Sequence, residues 1–499
     1  MNDTWDRVHV VGPALLLALV AGCATPDATK GRAGLAGIER IDHVIVIYAE
    51  NRSFDHLYGL FPGANGIANA SPAMYTQVDR DGTPLPHLPP VWKGKEADPA
   101  FPRDLPNRPF RIDAPPINLP LSVATRDVVH RFYQNQEQIN GGRNDRFVAA
   151  SDAGGLAMGY YDGSALPLWS WAKEYVLADN FFMGAFGGSY LNHFWLVCAC
   201  TPEDRNAPAA LRAQIDERGW LKTKPDSPSS ALNGASVFFD GDATPDGFSV
   251  NTTQPPWQPS RVPPANDGDP RGTDPKRHTL PPQSMKTIGD TLSAKGVTWA
   301  WYAGGWNAAV KDGSQPADAP RKVIATSANG APYFVTHHQP FNYFTRFAPG
   351  TADRERHLKD YTDLVADIEK GSLPQVVFYK PQGTLNEHPG YTDVLSGDQH
   401  IAELIAKIKA SPLWASTAIV VTYDENGGFW DHVAPPAGGR WGPGTRIPTI
   451  IASPLARRGY VDHTSYDTTS ILKFITLRFG LTPLPGVRPG AGDMTAAFE

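Results

Sequence analysis

The chain of 499 residues carries 45 Lys and Arg against 51 Asp and Glu, a formal net charge of -6. With no basic run of the density that a nucleic acid demands, this balance excludes a nucleic-acid binder. Three cysteines are too few for a disulfide-built scaffold, whereas 47 Pro, 47 Gly and 13 Trp point to long ordered loops over a large core.

In chain order, Val8 to Gly22 is almost wholly apolar but too short for a comfortable membrane span, and reads as an export signal. It closes on Leu19-Val20-Ala21-Gly22-Cys23, which resembles the bacterial lipoprotein cleavage box. Residues 1–23 are therefore expected to be a signal peptide whose Cys23 takes a lipid, and residues 24–38 a tether. The rest, residues 39–499, is expected to be a single domain facing the periplasm or the outside. With Cys23 lipidated, Cys198 and Cys200 remain, one residue apart and poorly placed to bridge each other within regular structure.

Val44 to Ile47 is a continuous β-branched run, the signature of a strand buried on both faces of a parallel sheet. It ends abruptly in Glu50, Asn51 and Arg52, after which Ser53 caps a short helix stopping near Gly59. Polar groups just past the carboxyl end of a buried strand lie where open α/β sheets place ligands. Residues 75–120 and 202–283 are rich in Pro, Gly, Asp and Asn and read as loop insertions that wall or cover a site. Between them, Asp127 to Gln138 has helical spacing and carries His130. Trp169 to Tyr175 reads as a helix and Val176 to Met183 as an extended segment. Gly187 and Gly188 then precede Ser189 and an apolar run, which sets Ser189 at a helix N-terminus, where an anion is favoured. Taken locally, the commonest job for such a serine is an N-cap.

From residue 284, helices and strands alternate. Met285–Lys295, Leu358–Glu369, Gln399–Ala410 and Thr468–Phe479 read as helices. Val297–Tyr302, Val376–Tyr379, Thr417–Tyr423 and Arg446–Ala452 read as strands. Such units imply a parallel sheet covered on both faces, a three-layer α/β/α sandwich. Asp424 and Glu425 end the Thr417 strand as Glu50 and Asn51 end the first. Adjacent carboxylates repel unless a cation compensates, and oxygen ligands suit Ca, Mg or Mn. His130, His337, His338 and His388 fall on loops at the same edge. Asp398-Gln399-His400 reads equally as a helix cap, and Asp431-His432 as a surface turn.

Four segments resemble a bacterial phosphoesterase family containing acid phosphatase A and the non-specific phospholipases C. They are VIVIYAENRSFDHLYG (44–59), GGSYLNH (187–193), THHQPFNYF (336–344) and VVTYDENGGFWDHV (420–433). A fifth is the stretch from Asp127 to His130 with the Gly141-Gly142 pair downstream. The resemblance implies a fold similar to alkaline phosphatase and sulfatases. It implies a divalent metal ion held by Glu50, Asn51, Ser189, Asp424 and Glu425, with Ser189 as nucleophile. It also implies that His130, His337, His338 and His388 bind phosphate and move protons. The residues around Ser189 and HHQPFNY look like the acid phosphatase branch. The expected activity is hydrolysis of small phosphate monoesters through a phosphoserine. The alternatives are cleavage of phospholipid headgroups and a non-enzymatic surface lipoprotein.

Overall fold

The structure, a computed structural model, describes residues 37–498. The export signal, Cys23 and residues 24–36 of the tether lie outside the described residues.

The centre is β1 (His43–Ala49), in which Val44, Ile45, Val46 and Ile47 are fully buried. At about 1.5–3 kcal/mol for each such side chain, this burial makes β1 a rigid support. The other strands of its sheet are β2 (Val176–Ala178), β3 (Trp299–Ala303), β4 (Leu358–Asp360), β5 (Val376–Lys380), β6 (Thr417–Tyr423), β7 (Thr449–Ala452) and β8 (Tyr460–Asp462). Their order across the sheet is β8-β2-β7-β6-β1-β5-β3-β4, and every strand except β7 runs the same way. Every residue of β3, β5 and β6 is buried, so both faces are covered.

The helices that matter for the site are α1 (Phe54–Tyr58), α2 (Phe132–Ile139), α3 (Pro167–Glu174), α4 (Ser189–Cys198), α5 (Ile288–Ala294), α6 (Tyr361–Lys370), α7 (Val394–Lys409) and α8 (Thr468–Phe479). α3 packs against α7, and α4 packs against α5 and α8. The architecture is an α/β fold with a mostly parallel sheet, as the alternation predicts.

Several elements differ from the sequence pattern. β7 is antiparallel because residues 424–448, which join it to β6, contain no helix, and a parallel return needs a crossover. Of the expected Arg446–Ala452 strand, Thr449–Ala452 joins the sheet and Arg446 makes an isolated bridge to Phe182. Leu358–Asp360, expected as helix, is an edge strand. Asp360 then caps α6 by accepting from Thr362 N at 3.1 Å, which fixes the helix start. Residues 127–131 form no helix, and α2 begins only at Phe132. Asp398 is no cap: α7 starts four residues earlier under Asp393, whose carboxylate accepts from Ser396 N at 2.7 Å. Cys198 and Cys200 do form a disulfide, with Cα atoms 5.1 Å apart. The bridge is possible because Cys198 is the last residue of α4 and Ala199, left-handed at φ 47°, turns the chain back. Asp431 and His432 are buried, not on a surface turn.

Candidate active site and metal centre

Parallel pairing sets Ala49 of β1 beside Tyr423 of β6, so the next residues, Glu50 and Asp424, leave the sheet side by side. Asn51 then adopts a left-handed backbone at φ 63°, a conformation Asn tolerates better than most residues. The turn points its N–H at Asp424 Oδ1 (3.0 Å) and its side chain across the strand ends. Gly427, at φ 62°, closes the other side, where a Cβ would sit 2.2 Å from Asn51 O. Gly187, at φ 87°, allows the start of α4 to press on α2, where a Cβ would lie 2.5 Å from the Phe132 backbone. The contact that requires a glycine here is with the His130–Phe132 segment. That contact brings His130 to the serine.

Ser189 is the first residue of α4, and the cap position belongs to Gly188. Its hydroxyl does not cap the helix. Oγ lies 3.1 Å from Asn51 Oδ1, 3.3 Å from Glu50 Oε2 and 3.4 Å from Glu425 Oε1. Glu50, Asn51, Asp424 and Glu425 are fully buried, and Ser189 is 4% exposed. Such a cradle of hard oxygens is the donor set that Mg, Ca or Mn takes. Asp424 Oδ2 is buried with no hydrogen-bond partner, the nearest cation being Lys380 Nζ at 3.6 Å. Among the described residues, Glu50, His193 and Asp424 each offer an atom, all within 4.8 Å of one another. The oxygen cradle around Ser189 fits a divalent cation.

The electrostatics express the same deficit. Burial and the neighbouring Glu50 push Asp424 up to about 7, and burial pushes Glu425 well above the carboxylate range. Burial also works against the charge on Glu50, but Lys380 and His338 outweigh it and hold this acid well below its ordinary value.

Of the four expected histidines, His130, His337 and His388 line a cleft of about 510 Å³ above Ser189. Nδ1 of His130 donates to Val128 O (2.6 Å) and Nδ1 of His388 to Pro389 O (2.5 Å). Each therefore turns Nε2 towards the site, 3.2 and 3.1 Å from the Asn51 amide nitrogen. Burial lowers His388, while for His130 the Glu425 and Asp127 carboxylates overcome burial and raise it to about 9. His338 does not line the cleft. Its Nε2 meets Glu50 Oε1 at 2.7 Å, and burial brings it down to about 4. Arg52 is also a support, donating from Nε to Glu387 O (3.1 Å), the carbonyl just before His388.

The cleft wall takes Asn251, Gln254 and Arg261 from the 202–283 loop, but no residue from 75–120. The latter segment packs elsewhere, as where Gln77 Oε1 accepts from Phe147 N at 2.9 Å. Sequence reasoning passed over Lys380 and His193. A lysine closing the apolar run of β5 was a usable signal, as was a histidine one helical turn after Ser189.

Residues 41–482 match the Phosphoesterase family. The chain belongs to that family. Like other Phosphoesterase members, it is a hydrolase of phosphoric ester bonds. It is similar to Phospholipase C B of Mycobacterium tuberculosis, 25% identical over 507 residues that span 92% of this chain and 78% of that protein. Non-hemolytic phospholipase C of Pseudomonas aeruginosa is 24% identical over 501 residues, 93% of this chain and 58% of that protein. Among solved structures, the PsFucS1 sulfatase from Pseudoalteromonas sp. superposes with a TM-score of 0.37 at 12% identity, covering 95% of this chain and 76% of that one.

Proposed function

We propose that the protein is a phosphomonoesterase of the acid phosphatase type with Ser189 as nucleophile. The observation that carries this reading is the position of Ser189 Oγ, at a helix N-terminus and 3.1–3.4 Å from three acidic or amide oxygens instead of a helix N–H. Glu50, Asn51, Ser189, Asp424 and Glu425 would hold the divalent ion, which when bound neutralises charge and makes the serine hydroxyl more acidic. The N–H groups at the start of α4 bind the phosphoryl oxygens. Oγ attacks phosphorus as the bond to the leaving oxygen breaks, and the product is phosphoserine. Nε2 of His130 and His388 flank the Asn51 amide; one of them, neutral, takes the Ser189 Oγ proton as the new P–O bond forms, and the other, protonated, gives its proton to the leaving oxygen. Water then attacks the phosphoserine, releases phosphate and restores the Ser189 hydroxyl.

A small, water-borne substrate is favoured by the cleft lining, which mixes Asp127, Arg131, Arg261 and the histidines with Tyr333 and Tyr391. Leu60, Met74, Val123 and Leu477 are the large apolar residues exposed among those described, and none borders it. The second reading, a phospholipase C, draws on the relatives that carry that name. Steady-state turnover of an aryl phosphate and of an aryl phosphorylcholine separates the two. The monoester is expected to have the larger kcat/KM by at least ~10²-fold, about 2.7 kcal/mol. The opposite ratio hands the function to the phospholipase. We also propose that the enzyme is tethered outside the cytoplasm by a lipid on Cys23. Mass spectrometry of the native N-terminus decides this, and an unmodified Cys23 overturns it.

A further inference from the structure

β5 reads Val376-Val377-Phe378-Tyr379-Lys380, four apolar residues and then a cation. Pairing of Tyr379 with Ile47 sets Lys380 beside Tyr48, on the same edge as Glu50. The side chain is fully buried, an arrangement that an ammonium tolerates only against opposite charge. Its Nζ lies 2.5 Å from Glu50 Oε1 and 3.6 Å from Asp424 Oδ2, donates to Ala49 O at 3.2 Å, and sits 5.1 Å from the Tyr48 ring centroid.

Of the two carboxylate oxygens it faces, Glu50 Oε1 is also met by His338 Nε2 at 2.7 Å and Asp424 Oδ2 has no hydrogen-bond partner; Glu50 and Asp424 belong with His193 to the group spaced for a metal. His193 is the third member: its Nδ1 donates to Ser189 O at 2.6 Å and lies 3.9 Å from Asp424 Oδ2, and its Nε2 is unpartnered. Glu50 thus divides its carboxylate. Oε2 faces Ser189 at 3.3 Å, and Oε1 faces Lys380.

We propose that Lys380 is a built-in second cation. Its ammonium fills the position among Glu50, Asp424 and His193 that a second divalent ion would take. The centre is thereby limited to a single exchangeable ion on the Ser189 side. The charges agree with this: three carboxylates, Glu50, Asp424 and Glu425, balance one divalent ion and one ammonium. Lys380 is a positioning residue, because it meets the phosphate only through Glu50. The inference rests on the serine–metal reading above.

The test is a Mn²⁺ titration by calorimetry of the full-length protein after chelator dialysis, with the bound metal counted by mass spectrometry. The wild type should bind one equivalent. Lys380→Met should bind two, because removal of the ammonium opens the second position. Its metal-free melting temperature should fall below that of the wild type and recover with Mn²⁺. Lys380→Gln, neutral but able to donate to Glu50, guards against loss of the fold in the first variant and should also bind two. A wild type that binds two equivalents overturns the inference and leaves the serine–metal reading in place. So do variants that bind one with unchanged affinity. A wild type that binds none removes both readings together.

Discussion

Two buried acid clusters are built from the same two stretches of chain, and they have opposite characters. Glu50 and Asp424 open the stretches and meet under Ser189. Asp55 and Asp431, a few residues further along each, meet around Arg446. In the second cluster every charge is answered. Arg446 Nε lies 3.0 and 3.1 Å from the Asp431 oxygens, and its Nη2 lies 3.0 Å from Asp55 Oδ1. His432 Nδ1 is 2.6 Å from Asp55 Oδ2, and the remaining guanidinium N–H groups donate to Asn65 O and Asp179 O at 2.8 and 2.7 Å. No oxygen of Asp55 or Asp431 is without a partner. The cluster under Ser189 has three carboxylates around one lysine and leaves Asp424 Oδ2 without a hydrogen-bond partner. Where the chain supplies its own countercharge, a buried acid pair joins elements together. Where it does not, the deficit marks a place for something the chain lacks.

The contrast is broken most severely at Ser189. Ser189→Ala should lose at least ~10³-fold in kcat on an aryl phosphate, about 4 kcal/mol, while its melting temperature stays within a few degrees of the parent. A loss under tenfold would return the serine to a structural role.

At the closed cluster the effect should fall on stability. Arg446→Met leaves Asp55 and Asp431 buried without their cation and should cost about 3–5 kcal/mol in urea unfolding, with turnover per folded molecule far less affected. A cost below about 1 kcal/mol would show that the pairing does not hold α1 to the 431–432 turn.

The smallest effect is expected at a third buried acid, Asp398, which sharpens the comparison because no cation faces it. Oδ1 accepts from Leu168 N at 2.8 Å, Oδ2 has no partner, and burial pushes the carboxyl up to about 7. The folded protein holds this proton up to about pH 7, while the unfolded chain releases it near pH 4. The group therefore favours folding at pH 4, and that contribution is lost as pH rises to 7. Asp398→Asn should flatten this fall by roughly 1–3 kcal/mol between pH 4.5 and 7.5, read from unfolding curves. An unchanged slope would assign the pH dependence to other groups.

What the residues alone determined is what short-range pattern controls. The apolar runs of β1 and β6 and the polar residues that end them were legible because a doubly buried strand needs unbroken β-branched residues and its end is where that need stops. The position of Ser189 at a helix start was equally local, since two glycines ahead of an apolar run announce it. Tertiary structure alone decided the rest. Whether Ser189 caps its helix or faces Glu50 depends on a contact 139 residues away in sequence. His338, similar to His337 in every local respect, was turned to the back of Glu50 by packing. Asp431 and His432 look like a surface turn until Arg446 and Asp55 close on them. Lys380 was visible as an odd end to an apolar strand, but its role as a countercharge exists only because β5 lies beside β1. Local pattern determines which backbone forms and where it stops; the charge that a buried side chain meets is set by the neighbours the sheet brings to it, and those neighbours are hundreds of residues apart.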